Sequence, residues 1–158
     1  MKRYKLVALL ASVPLAATMV ATTAVHSGAE DRPHVQRIVV PEADQFTPFA
    51  ATVRVGDVVQ WVNNDTDDHT VVSDDAFNTA GNRGVNLTLV GTVNNHGRPG
   101  KVSLSFRHPG TFVYYCRFHS HLDANNQPVA PGPDGGIQDA NGNFGTPMMG
   151  VITVRGND

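Results

Sequence analysis

Thr111-Phe112-Val113-Tyr114-Tyr115-Cys116-Arg117-Phe118-His119 decides how this chain is read. Thr111 to Tyr115 are all β-branched or aromatic, the composition of a strand packed on a pleated surface. Cys116 closes that strand and is the only cysteine in the sequence. It has no partner for an internal disulfide, and an unpaired thiol is open to oxidation or mispairing unless it is buried or bound to metal. His119 follows three residues later, so a short turn can aim a thiolate and an imidazole at one point. The competing reading is a small core residue, the commoner fate of a lone buried cysteine.

Outward from this stretch the chain is a series of short strands. Upstream, Lys101 to Phe106 alternates apolar and polar residues, and His108-Pro109-Gly110 turns the chain. Downstream, Gly150 to Val154 reads as the last strand. Gln36 to Val40, Thr52 to Val55, Val58 to Val62 and His69 to Val72 are further strands, with a weaker one within Val85 to Val93. Alternation on both sides of Gly56-Asp57 predicts a hairpin there. No stretch of the mature chain shows a sustained helical period, and short strands between Gly, Pro and Asn turns indicate an all-β sandwich. Asp123 to Pro147 departs from this economy: it is rich in Gly, Pro and Asn, and long for a connection. Asp123 to Gln127 and Asp139 to Asn143 are weakly alike. The second copy lacks the sixth-position glycine and acidic twelfth residue of a calcium loop, so two similar turns is the better reading.

The N-terminus reads as an export segment. Met1-Lys2-Arg3-Tyr4-Lys5 is basic, an apolar run follows to about Val25, and small residues surround a cleavage point near Ala24. Residues 1–24 are therefore read as a signal peptide, 25–35 as a flexible leader and 36–158 as the domain, with an insertion at 123–147. The expected location is periplasmic or otherwise exported, with a membrane role only if the segment is retained. Without Lys2, Arg3 and Lys5, nine basic residues face fourteen acidic ones, a net charge of about −5. That excludes a basic nucleic-acid footprint.

The donor types narrow the metal. Structural zinc sites take more cysteines and iron–sulfur clusters need several. Two histidines, one cysteine and a weak axial methionine form the blue-copper arrangement. His69 follows an acidic turn and opens a strand, which makes it the candidate second histidine. Met148-Met149 stands before the last strand and supplies candidate thioethers.

Taken together, Val53 to Asn64, Asp68 to Val71, Pro109 to His119 and Met148 to Val154 resemble a cupredoxin of the plastocyanin, amicyanin and pseudoazurin type. The resemblance spans roughly Ile38 to Val154. It implies a Greek-key β-sandwich holding one copper at its end and cycling between Cu(I) and Cu(II). It implies His69, Cys116 and His119 as equatorial ligands and Met148 as the axial one, with Met149 the alternative. His121 is a competing ligand, but its spacing from Cys116 does not fit the family pattern. The chain departs from the family in placing 28 residues (120–147) between His119 and Met148. The backbone N–H of Thr70 is expected to donate to the cysteine sulfur. His119 is expected to lie on the electron's exit path, because in the family that imidazole edge reaches the surface.

The function expected is an exported carrier of single electrons between redox partner proteins, not an enzyme. The alternatives are a periplasmic copper carrier or store, and an enzyme with an open copper site. Partners are expected to dock near His119 or at the acidic turn that includes Asp65, Asp67, Asp68, Asp74 and Asp75. The default reading of that turn is a solvated loop, with docking the alternative. His96 and His108 are expected to be solvated, and Trp61 and Phe112 to be core.

Overall fold

The computed structural model describes residues 32–73 and 79–157, so the export segment, Asp74 and Asp75 lie outside the described residues. Ten strands follow in order: β1 (Val35–Val40), β2 (Ala50–Arg54), β3 (Val58–Asn63), β4 (His69–Ser73) and β5 (Val85–Leu89), then β6 (Gly100–Ser105), β7 (Gly110–Tyr115), β8 (His121–Leu122), β9 (Pro128–Val129) and β10 (Met149–Arg155). No helix among the described residues is long and apolar enough to cross a membrane.

The strands build an all-β sandwich. One sheet has the order β1-β3-β6 and the other β2-β10-β7-β4-β5. β1 runs parallel to β3 and β2 parallel to β10, while the remaining pairs in these sheets are antiparallel. Alternation delivers the inward faces. Val59 and Trp61 of β3 meet Phe112 and Tyr114 of β7 and Ile152 and Val154 of β10 in one buried cluster. The Trp61 and Tyr114 rings cross edge to face at 5.3 Å, as do Phe106 and Phe112 at 5.2 Å. Such a pair contributes about 0.5–1.5 kcal/mol beyond the area it buries. Trp61 and Phe112 are fully buried, as core residues should be.

The expected hairpin at Gly56-Asp57 is not one. β2 belongs to the five-stranded sheet and β3 to the three-stranded sheet, so this turn carries the chain between layers. Gly56 adopts φ +97°, and both carboxylate oxygens of Asp57 accept backbone N–H groups, from His34 and Arg54. Alternation looks the same in a hairpin and in two strands joined by a corner. Pairing with β10 and β3's distant partners decides between them.

The segment after His119 is ordered into small units. β8 and β9 pair antiparallel, closed by a turn in which Asp123 Oδ1 accepts from the N–H groups of Asn125 and Gln127 at 2.8 and 2.9 Å. Asp139 Oδ1 accepts from Asn141 and Asn143 at the same two distances. The weak sequence likeness is thus a repeated turn, with Asn126 and Gly142 in the left-handed conformation at matching places.

Candidate metal centre

Three strands of the five-stranded sheet place the site at one end of the sandwich. β7 runs antiparallel to both β10 and β4; its last residue, Tyr115, lies opposite Met149 at the start of β10 and Val72 of β4, so the chain leaving β7 passes the start of β4. His69 is the first residue of β4, Cys116 directly follows β7, and Met148 directly precedes β10. The Cys116 N–H donates to the Met148 carbonyl at 2.9 Å, and the turn that follows brings His119 back, its N–H donating to the Cys116 carbonyl.

The predicted equatorial residues converge. His69 Nδ1 lies 3.2 Å from His119 Nδ1, and Cys116 Sγ lies 3.7 and 3.6 Å from those two nitrogens. The circumradius of a triangle with those sides is about 2.0 Å, the length of a metal–imidazole bond and slightly short of a metal–thiolate bond of about 2.3 Å. His69 and Cys116 are fully buried and His119 is 4% exposed. Met148 is fully buried in the same apolar cluster as Cys116, whereas Met149 is half-buried and, one residue on in an extended chain, points the other way. Two imidazoles, a thiolate and a buried thioether beside them fit copper.

The electrostatics favour a ready ligand. Burial pushes the Cys116 thiol up, but hydrogen bonds with His119, His69 and the Thr70 N–H outweigh it and bring the thiol down to about 6. Burial alone would lower both imidazoles. The Cys116 sulfur outweighs that and raises them, helped by Asp65 at His69 and by Asp44 and Asp134 at His119. As expected, the Thr70 N–H donates to Cys116 Sγ, at 3.4 Å. The Thr70 hydroxyl accepts from the Arg117 N–H at 2.9 Å. The register of Val72 opposite Tyr115 would put Thr70 opposite Arg117, so side-chain atoms here take the place of ladder carbonyls.

Other expectations fare differently. His121 is exposed and its Nδ1 donates to the Pro131 carbonyl, away from the triad. His96 and His108 are exposed. Asp65 is not part of a solvated loop: it is 6% exposed, and its Oδ2 lies 3.2 Å from His69 Nε2. His119 keeps only a small part of its side chain exposed, and the long segment after it lies close by. Residues 132–136 pack on the backbone around it: the Asp134 N–H donates to the Phe118 carbonyl, and a side chain at Gly132 would strike Phe118 and Ser120. His119 borders a groove of about 410 Å³ shared with Asp67, Asp68, Val93, Phe118 and Asp134, which is where its side chain meets solvent. Sequence reasoning missed the Asp65 contact, although the four-residue spacing from His69 was visible, and the Asp44 contact, which no local pattern announces.

A Greek-key sandwich with a buried Cys, two His and a Met at one end defines a mononuclear copper protein. The family model for copper-binding proteins of the plastocyanin/azurin family matches residues 36–125. Solved structures with a similar fold include a purple cupredoxin from Nitrosopumilus maritimus, 19% identical with a TM-score of 0.47, the match covering 76% of this chain and 99% of that one. Amicyanin from Paracoccus versutus is 15% identical with a TM-score of 0.48, the match covering 77% of this chain and 81% of that one. No curated protein matches the chain. The chain belongs to the plastocyanin/azurin family of copper-binding proteins, and copper is its cofactor.

Proposed function

We propose that the protein is an exported carrier of single electrons, with His69, Cys116 and His119 as equatorial copper ligands and Met148 as the axial one. The observation that carries this reading is the buried triangle of two Nδ1 atoms and one sulfur, with the Thr70 N–H on the sulfur. Copper supplies the chemistry by changing between Cu(I) and Cu(II). The chain holds the ligands fixed, so little has to rearrange when the charge changes. Tight packing around Cys116 and Met148 keeps water from the inner side of the site, and the 132–136 segment packs on the backbone of Phe118 to Ser120, leaving His119 only a small opening to the groove. A closed site favours electron transfer over substrate binding, and buried ligands disfavour ready exchange of the metal with other carriers.

The groove beside His119 is the proposed docking place. Asp67 and Asp134 give it negative charge, while Val93 and Phe118 give it apolar surface. Complementary charge speeds encounter with a basic redox protein more than it deepens affinity. Residues 1–24 are proposed to direct export and 36–158 to form the copper domain, with 123–147 as a cover built into it.

The optical spectrum of the copper-loaded protein tests this. An intense thiolate-to-copper band towards the red, bleached reversibly on reduction, is the expected result. A weak or shifted band with exchangeable water would favour the open-site enzyme, and failure to bind copper would overturn the reading. Met148→Leu is expected to raise the reduction potential by removing a donor from Cu(II), and Met149→Leu to leave it unchanged. The reverse result would move the axial role to Met149.

A further inference from the structure

We propose that Asp65 and Asp44 are positioning residues for the metal histidines, each carboxylate holding the Nε2–H of one ring so that Nδ1 faces the metal. This rests on the copper reading above. Asp65 Oδ2 lies 3.2 Å from His69 Nε2, and Asp44 Oδ1 lies 3.5 Å from His119 Nε2. The imidazoles belong to the five-stranded sheet and the loop after it. The carboxylates come from the other sheet. β1 and β3 run parallel and end together, Val40 opposite Asn63, so the turns that follow them carry Asp44 and Asp65 to the same end of the sandwich.

Asp65 is built for the task. Its other oxygen, Oδ1, accepts from the Thr66 N–H at 2.6 Å and from the Thr66 hydroxyl, which leaves Oδ2 for the imidazole. Its own N–H donates to Asn63 Oδ1, its carbonyl accepts from Thr92, and Asn63 Nδ2 donates to the Asp67 and Leu89 carbonyls. The turn is therefore pinned on both sides, and Asp65 approaches a fully buried ring from a nearly buried position. An imidazole that donates from Nε2 to a carboxylate must present a lone pair at Nδ1, which fixes both tautomer and ring angle. A buried negative charge one ring away also favours Cu(II) over Cu(I). Asp44 does the same at His119 more weakly, because it is partly exposed and more distant.

Asp65→Asn and Asp44→Asn test the proposal; each keeps the shape and an acceptor oxygen but removes the charge. For Asp65→Asn, Cu(II) affinity by chelator competition is expected to fall about 10–100-fold, with Cu(I) affinity falling less. A tenfold difference between the two is a rise in potential of about 59 mV. Asp44→Asn is expected to move both quantities the same way by a smaller factor. In the Zn(II)-loaded protein, which is diamagnetic, the His69 Nε2–H resonance should lie downfield and move upfield in Asp65→Asn. Lower thermal stability with the potential, the Cu(II)/Cu(I) ratio and that resonance all unchanged would overturn the proposal, leaving Asp65 a turn residue only. The partly exposed Asp44 variant keeps the test open should Asp65→Asn fold poorly. Failure of the unmutated protein to bind copper would instead overturn the function proposed above.

Discussion

In the metal-free protein Cys116 sits between two imidazoles and the Thr70 N–H, an environment that favours the anion. The folded value of about 6 lies below the ordinary 9.0, so the group's contribution to stability is full above 9.0 and is lost as pH falls towards 6. Titrating the metal-free protein while following the ultraviolet thiolate absorbance should give a midpoint near 6; one near 9.0 would show that the imidazoles and the N–H do not act on the sulfur. That Cys116, His119 and His69 come together was legible in the sequence, because their places are set by one strand end and one strand start. Asp65 was not. An acidic run looks the same whether it faces water or protein, and the turn that carries Asp65 is pinned to Leu89 through Asn63 and to Thr92 directly, both far along the chain.

At the scale of elements, strands were legible wherever one face is buried, since period-two alternation follows from the pleat. The partners of β2 and β3 were not, because pairing is a non-local choice. The long insertion had no periodicity to read, yet it is held by backbone contacts that glycine permits. Gly132 lies so close to the Phe118 carbonyl and the Ser120 nitrogen that any side chain must push the segment outward. Gly132→Ala is therefore expected to cost about 1–3 kcal/mol in denaturant unfolding. It should also speed amide hydrogen exchange around His119 while leaving that of β3 unchanged. If exchange at His119 does not change, the segment does not cover the site. Gly150 shows the same logic inside the sheet: the Tyr114 ring lies across it from the neighbouring strand, and a methyl group there would collide with the ring.

At the scale of the molecule, negative charge gathers at the end that holds the site. Glu42, Asp44, Asp65 and Asp67 border one groove, and Asp67, Asp68 and Asp134 border the one beside His119. Exposed charges act over about 10 Å at 0.1 M salt. Oxidation of the reduced protein by a small cationic complex should slow as salt is added, and oxidation by an anionic complex should quicken. Asp67→Asn combined with Asp134→Asn should flatten both dependences; unchanged slopes would place electron exit elsewhere.

The junction of β4 with β7 has a consequence for how this protein can change over time. The N–H that binds the Cys116 sulfur is also a rung between two strands, and the Thr70 hydroxyl supplies the next one. A side chain can be swapped for another, but a backbone N–H can be removed only by proline, which would break the strand. The donor to the sulfur is thus frozen into the architecture, whereas Met148, Asp65 and Asp44 remain open to substitution. With the roles proposed above, drift in the potential among descendants of this chain is open at those three positions, while the backbone N–H on the sulfur stays as a fixed reference.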